Sequence, residues 1–212
     1  MTTEGGVMQL GTHHRYALAG AVVLSALALY DAATWGLTGH SSVFVDTGPR
    51  WAQILAGVVH VVAYTGALAV LHAERRRIHT NRAAAVFGWL LFVAFIPLAV
   101  GYLLIAIPAV TEVVQSRGEV VFGLAFGLQF LAAIGLGLSL VKHPETRIGS
   151  RILLGIVPTI GLTAALAAWT SNWAHPAYVE AVTLMGIALL ATRTPTHRPD
   201  TDSARRALVE TL

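Results

Sequence analysis

The sequence alternates between long apolar runs and short polar breaks. Six runs each hold about 20 mostly apolar residues, the length that a helix needs to cross a hydrocarbon core of roughly 30 Å. They cover residues 16–37, 51–71, 83–109, 120–141, 152–170 and 174–191. Alternating strand patterns are absent, and backbone inside a bilayer must satisfy its own hydrogen bonds. The pattern therefore predicts an all-α integral membrane protein, built as a six-transmembrane-helix bundle.

Lysine and arginine residues predict the orientation of this bundle. The chain has 14 lysine and arginine residues, and 12 of these residues lie before the first span, in the second and fourth connections, or after the sixth span. Positive charge accumulates on the cytoplasmic side of membrane proteins, so we expect both termini in the cytoplasm and the protein in the inner (cytoplasmic) membrane of a bacterial cell. Residues 1–15 form a short cytoplasmic segment, residues 16–192 the six-helix domain and residues 193–212 a flexible cytoplasmic tail.

The amino-acid composition excludes several classes of function. Apolar residues make up 55% of the chain and charged residues only 12%, whereas a soluble domain carries about 25% charged residues. This composition excludes a nucleic-acid-binding module and an ordinary water-soluble enzyme. The chain has no cysteine, so disulfides, thiolate metal sites and cysteine nucleophiles are excluded as well.

Known cofactor patterns are also missing from the sequence. No span carries histidine and carboxylate residues at the helical spacing of a metal site, and the adjacent pair His13 and His14 is interpreted as solvated. The only lysine, Lys142, lies outside the spans, which excludes a retinal Schiff base. His60 and His175 lie at different depths, unlike the paired ligands of a haem. We therefore expect no metal and no other cofactor.

Two acidic residues lie inside predicted spans, where an ionisable group costs about 2.5–3.5 kcal/mol at the bilayer centre. Asp31 lies six residues before the outer end of the first span, and Glu180 lies six residues after the outer end of the sixth. At 1.5 Å per residue, both lie about 9 Å below the outer surface. Equal depth predicts either one shared cavity or two separate routes to interfacial water.

Two further polar residues lie deeper in the spans. His60 and Gln129 are roughly 14–15 Å from the outer face. A lone histidine on an apolar helix is more often hydrogen-bonded packing than a ligand or a proton carrier. Gln129 follows Gly123 and Gly127, whose spacing is typical of close helix–helix packing. Gln129 is therefore interpreted first as a polar contact between helices.

Other polar groups are predicted at the outer mouth of the bundle. The uncharged turn between the fifth and sixth spans carries Asn172 and His175 above the predicted cavity. The apolar run over residues 83–114 is too long for one straight crossing, and Pro108 offers a kink. We expect the end of the third span to fold over the mouth and to bring Glu112 to it.

The first functional hypothesis is a membrane enzyme of the cyclase or isomerase type, acting on a lipophilic, isoprenoid- or terpenoid-like substrate. An acid in an apolar pocket can stay protonated and act as a general acid, and aromatic faces stabilise a carbocation. The predicted catalytic residues are Asp31, Glu180 and His60. The predicted substrate-binding residues are Tyr30, Tyr64, Glu112, Phe126, Gln129, Trp169, Asn172, Trp173, His175 and Tyr178. This combination of an acid with aromatic side chains resembles the general chemistry of small integral-membrane terpene cyclases. The resemblance involves no shared sequence motif.

Two alternatives stay open at this point. Acids within a helix bundle also mark transporters and channels for small solutes or protons, and a pore would require a homo-oligomer of so small a chain. A non-catalytic subunit or scaffold would use the same polar groups only to hold helices together. The expected partners are membrane lipids and a lipophilic small molecule, with homo-oligomerisation left open and no nucleic acid.

Overall fold

A computed structural model describes residues 10–44, 48–105, 107, 111–169 and 171–190. Within these residues every regular element is a helix, in agreement with the predicted all-α class. The α-helices are α1 (Thr12–Thr38), α2 (Arg50–Ala73), α3 (Arg75–Ile78), α4 (Arg82–Ile105), α5 (Thr111–Leu140), α6 (Arg147–Leu154), α7 (Ile156–Trp169) and α8 (Ala177–Ala188). Short 3₁₀ helices cover Pro144–Thr146 and Ser171–Trp173.

Five helical segments of the described chain are long and apolar enough to cross a membrane, which makes this a multi-pass membrane protein by helix length and composition. They are Thr12–Thr38, Arg50–Ala73, Arg82–Leu104, Val120–Leu140 and Pro144–Trp169. The sixth predicted span corresponds to α8, which has only 12 residues. Its length of about 18 Å is shorter than a hydrocarbon core, so helix length does not confirm it as a crossing.

Six of the helices form a closed ring. Contacts run from α1 to α2, then through α4, α5, α6 and α8 back to α1, and α2 also touches α8 across the ring. Large buried side chains such as Tyr64, Phe95 and Leu136 fill the interior. Helix α7 lies at the margin against α8, and the apolar part of the segment that contains it, Pro144–Trp169, is only 11% buried.

Small residues set the close contact between α1 and α2. A Cβ atom added at Gly66 would lie 2.8 Å from the Cα atom of Ala17, and one added at Gly20 would lie 3.0 Å from the Cα atom of Ala63. Backbones this close require small residues on both helices, a common device in membrane proteins. The contact fixes α1 and α2 against each other, and these two helices form two walls of the cavity described below.

Helix α5 corrects one expectation and extends another. Its apolar part, Val120–Leu140, matches the fourth predicted span, but the helix begins nine residues earlier at Thr111. Glu, Gln and Arg are good helix formers, so the helix continues beyond the apolar stretch. The expected close packing at Gly123 and Gly127 is wrong within the described chain, because no atom lies within 4 Å of a Cβ added at either.

The two ends of the bundle differ in composition. The tryptophan end is defined by Trp35, Trp51, Trp169 and Trp173, and the arginine end by Arg75, Arg76, Arg77, Arg82, Arg147 and Arg151. At the tryptophan end α1 stops at Gly39, whose φ of 70° lies in the left-handed region that glycine adopts readily. The predicted fold at Pro108 lies outside the described residues, and so does the side chain of Glu112, whose backbone is in the first turn of α5.

Candidate functional site

A cavity of about 260 Å³ lies between α1, α2 and α8, in the half of the bundle nearer the tryptophan end. Asp31 from α1 and Glu180 from α8 both line it, so the two acids at equal predicted depth share one cavity. Most of the wall is apolar or aromatic. The lining residues are Leu24, Leu27, Ala28, Asp31, Phe44, Gln53, Ala56, Gly57, His60, Tyr102, Phe126, His175, Pro176, Ala177 and Glu180.

Asp31 accepts hydrogen bonds on both of its carboxylate oxygens. The backbone N–H of Ser42 donates to Oδ1 over 3.0 Å, and His175 Nε2 lies 3.1 Å from Oδ2. The other ring nitrogen of His175, Nδ1, accepts the N–H of Ala177 over 3.2 Å. A neutral imidazole carries one N–H, so the proton of His175 is on Nε2 and is donated to Asp31. Two donors thus face the carboxyl group of Asp31, one on each oxygen.

Glu180 is held differently, by a relay of side chains. The hydroxyl of Tyr64 donates to Glu180 Oε1, and Gln129 Nε2 donates to the same hydroxyl oxygen over 3.4 Å. All three side chains are buried: Glu180 is only 5% exposed, and Tyr64 and Gln129 are completely buried. The hydrogen bonds described for Glu180 involve only Oε1. The side chain of Glu180 also lines the cavity.

His60 and Tyr102 form an aromatic wall of the cavity. Their rings stack with centroids 3.8 Å apart and planes 19° apart. His60 Nδ1 lies 2.7 Å from the carbonyl oxygen of Ala56, to which it can only donate, so its proton sits on Nδ1 when the ring is neutral. Phe126 from α5 adds another ring to the lining. A π-face attracts positive charge, and all three aromatic side chains line the cavity.

The structure brings seven of the 13 predicted site residues to the cavity or directly behind it. Those that line the cavity are Asp31, His60, Phe126, His175 and Glu180, and those that lie behind Glu180 are Tyr64 and Gln129. Gln129 thus makes the helix-to-helix contact that its position indicates, and its Oε1 atom is buried without a hydrogen-bond partner. These placements follow the predicted depths.

Three predicted residues lie close to the mouth without lining the cavity. Tyr178 contacts the ring of His175 edge-on, at a centroid distance of 6.4 Å. Trp173 covers Gly36, where an added Cβ would lie 2.5 Å from the indole ring. Asn172 is exposed at the same end of the bundle. Of these side chains, Tyr178 contacts the Asp31–His175 pair directly.

Two more predicted substrate-binding residues, Tyr30 and Trp169, are not among the residues that line the cavity. The side chain of Tyr30 is 52% exposed on the outer surface of α1, and that of Trp169 is 88% exposed at the end of the marginal helix α7. The ring of Tyr30 contacts that of Phe44, which does line the cavity. Residue spacing gives depth along a helix, whereas the face toward the cavity depends on which helices are neighbours.

Sequence reasoning missed several lining residues. Tyr102, Phe44 and Gln53 line the cavity but were not predicted as site residues. Tyr102 lies in an apolar run, where an aromatic residue is most often core. Its stacking on His60 arises only because α4 packs against α2. No signal in the sequence separates it from the other aromatic residues of that span.

Comparison of the chain with protein-family models, curated proteins and solved structures returns no match. The chemistry of the cavity therefore rests on its own residues. It combines an aspartate that accepts two hydrogen bonds with a buried glutamate that accepts one, and both line the same aromatic, mostly apolar space.

Proposed function

We propose that this protein is an integral-membrane enzyme that acts on a lipophilic small molecule by acid-initiated chemistry. The supporting observation is the pair of carboxyl groups, Asp31 and Glu180, in one aromatic-walled cavity with different hydrogen-bond partners. Pairs of titratable groups in contrasting environments are the usual basis of separate acid and base roles. A scaffold would need only enough polar contacts to hold its helices and has no use for the cavity.

In this proposal Glu180 is the general acid and Asp31 the base. The Oε2–H of neutral Glu180 adds its proton to a carbon–carbon double bond, whose electron pair forms the new C–H bond and leaves a carbocation. Tyr64 donates to the glutamate carboxylate that results. Asp31 then takes a proton from a neighbouring carbon, and the C–H electron pair forms a new double bond. The product is an isomer, cyclic or acyclic, and no oxidant or reductant is consumed.

The aromatic wall supports a cationic intermediate. The stacked rings of His60 and Tyr102 and the ring of Phe126 line the same cavity as both acids. Cation–π attraction is strongest where water is excluded, as in an apolar pocket within a bundle. The volume of about 260 Å³ lies near the lower end for small-molecule pockets. A short isoprenoid is the substrate class that best fits this size and lining.

A proton channel or transporter is the alternative with less support. Between Glu180 and the end of α8, the buried residues include apolar Leu184 and Ile187, and the hydroxyl of buried Thr183 donates to the carbonyl of Val179 in its own helix. Glu180 and Ala188 are separated by about 12 Å of this helix. A continuous polar route from the cavity to the arginine end would have to cross that distance.

We further propose six crossings, with both termini in the cytoplasm of a bacterial cell and the tryptophan end facing outward. Two contacts with α1 support the sixth crossing: His175, just before α8, bonds Asp31, and the carbonyl of Ala188 accepts from His14. The α1 partners of these two contacts, His14 and Asp31, are 17 residues apart, which is about 25 Å along the helix. The segment from His175 to Ala188 therefore extends over most of the thickness of a hydrocarbon core.

The topology can be tested by single-cysteine labelling, because the natural chain has no cysteine. A cysteine at His40, exposed at the tryptophan end, should react with a membrane-impermeant maleimide in intact cells. A cysteine at Thr80, exposed at the arginine end, should react only after permeabilisation. The reverse labelling pattern would show that the proposed orientation is inverted. Labelling of both positions in intact cells would refute the proposal that the two ends lie on opposite sides of the membrane.

The enzymatic proposal can be tested by deuterium incorporation. The purified protein, in lipid nanodiscs in D₂O, is incubated with a panel of acyclic isoprenoids and with a bacterial lipid extract, and products are identified by mass spectrometry. We expect isomers that carry deuterium on carbon. Exchange of Glu180→Gln removes the proton donor and should slow product formation by about 10²–10⁴-fold, the usual contribution of general acid catalysis.

A matched control keeps this test specific. Glu145→Gln also removes one carboxylate, but Glu145 is 63% exposed at the arginine end and should leave product formation unchanged. Thermal unfolding of each variant checks that the fold is retained. Equal rates for the native protein and Glu180→Gln, or no labelled product from either source, would reject the enzymatic proposal. Proton flux into liposomes that Glu180→Gln abolishes would then favour transport.

A further inference from the structure

A second group of ionisable side chains lies at the arginine end, far from the cavity. His13 and His14 begin α1, and Glu74 caps the end of α2. His14 Nε2 lies 3.2 Å and His13 Nε2 3.7 Å from Glu74 Oε1, and one ligand atom of each residue lies within 4.8 Å of the other two. Three potential metal-ligand atoms therefore converge on one point.

The hydrogen bonds of His14 leave its Nε2 atom as an acceptor. Its Nδ1 lies 2.9 Å from the carbonyl oxygen of Ala188, and a carbonyl can only accept, so the ring proton sits on Nδ1. The lone pair of Nε2 in the neutral ring then faces an oxygen of Glu74, which is also an acceptor. Two acceptors at 3.2 Å require a positive species between them, either a proton or a metal ion.

His13 distinguishes between these two species. Its Nε2 atom is buried and has no hydrogen-bond partner, although it lies 3.7 Å from the same carboxylate oxygen. A proton shared by His14 and Glu74 would leave this second nitrogen unused. A metal ion would use all three atoms, because tetrahedral zinc with bonds of about 2.0–2.2 Å holds its ligands roughly 3.3 Å apart.

We propose that His13, His14 and Glu74 bind a divalent transition-metal ion of the zinc class. Two imidazoles and one carboxylate are ligands that zinc prefers, and three protein ligands leave a fourth position for water. His14 Nδ1 donates a hydrogen bond to a backbone carbonyl, as the non-ligating nitrogen of a metal-bound histidine typically does. The ion would join the start of α1 to the end of α2, beside the end of α8.

Arg77 positions the carboxylate of this site. It donates to Glu74 Oε2 over 2.8 Å, so Oε1 is left toward the two histidines. Arg77 also lies 3.1 Å from Glu145 Oε2, and this second carboxylate balances its charge. The two carboxylates and one guanidinium sum to a single negative charge, which favours a divalent cation over the neutral imidazoles alone.

The proposal can be tested with zinc alone on the full chain, purified in detergent through a tag that contains no histidine. After treatment with a chelator, we expect one zinc ion per chain by titration calorimetry and a rise in the unfolding temperature, because an ion that binds only the folded state stabilises it. His13→Gln should weaken zinc binding by at least about tenfold. Cobalt(II) should give the visible absorption of a tetrahedral site, and this variant should lose it.

His13 is the informative position because its ring nitrogen makes no hydrogen bond that substitution would break. His79→Gln is the matched control, since His79 is an exposed histidine at the same end and lies outside the group. It should bind zinc as the native chain does. Absence of zinc binding by the native chain, equal affinity after His13→Gln, or equal losses in both variants would overturn the proposal, the last by showing adventitious binding to scattered histidines.

Discussion

Both ends of the bundle hold a histidine beside a carboxylate, and the two pairs have nearly the same separation. His175 Nε2 lies 3.1 Å from Asp31 at the tryptophan end, and His14 Nε2 lies 3.2 Å from Glu74 at the arginine end. The opposite ring nitrogen distinguishes them. In His175 it accepts a backbone N–H, whereas in His14 it donates to a backbone carbonyl.

This difference decides what each pair can do. A neutral imidazole has one N–H, so a backbone donor on one side places that proton on the other side. His175 therefore completes a hydrogen bond to Asp31, while His14 offers a lone pair to Glu74 and leaves room for a cation. The distance between histidine and carboxylate is therefore not enough to distinguish a hydrogen bond from a pair of metal ligands. The backbone group bound to the other ring nitrogen distinguishes them.

Among substitutions that test this difference between the two histidine–carboxylate pairs, Asp31→Asn is expected to reduce stability most. The amide can replace only one carboxylate oxygen, so its NH₂ group must face a donor, either the N–H of Ser42 or that of His175. Hydrogen bonds to charged groups contribute about 1.5–3 kcal/mol, and we expect the free energy of unfolding to fall by about 2 kcal/mol. Chemical denaturation in detergent measures this change.

Glu145→Gln serves again as the control for Asp31→Asn, because its carboxylate is mostly exposed. Its effect should stay below about 1 kcal/mol, as for other exposed ion pairs. Equal losses in the two variants would mean that the donors on Asp31 contribute nothing specific. The contrast between the two ends would then have no energetic basis.

A smaller effect is expected from the equivalent exchange at the other end, Glu74→Gln in metal-free protein. The amide NH₂ can donate to the lone pair of His14 Nε2, while the amide oxygen keeps the hydrogen bond from Arg77. A gain of about 1 kcal/mol from the new hydrogen bond offsets a similar loss from the ion pair. We expect the free energy of unfolding to change by less than about 0.5 kcal/mol.

The same denaturation assay checks Glu74→Gln, with the chelator present throughout. Nitrogen chemical shifts of ¹⁵N-labelled histidine give an independent reading of the tautomers, with the proton on Nε2 in His175 and on Nδ1 in His14. A loss as large as that of Asp31→Asn would show that His14 already carries a second proton. The two ends would then be equivalent.

Much of the fold follows from the sequence because hydropathy reports on contact with lipid. Five of the six predicted spans coincide with long apolar helices. The boundaries of helices follow different physics, and α5 begins at Thr111 because good helix formers precede its apolar part. The sixth span illustrates the reverse case, because an apolar run over residues 174–191 contains a helix of only 12 residues.

The site was predictable in depth but not in partners. The constant rise of a helix places Asp31 and Glu180 at one level, and both line the cavity. Tyr64, however, reaches Glu180 across 116 residues of sequence, and Glu74 meets His14 across 60. Such pairs depend on which helices pack together. Sequence spacing, which predicts no metal site, carries no information on those neighbours.

The shortness of α8 has a consequence for how the protein meets the bilayer. An isolated helix of 12 residues would force lipids to thin around it, the cost known as hydrophobic mismatch. Helix α8 instead contacts α1, α2, α5, α6 and α7, and most of its residues are buried. Lipid thickness is therefore matched by the longer helices among these, α1, α2 and α5. The ends of α8 can remain at the levels of the polar groups that they contact, whatever the thickness of the membrane.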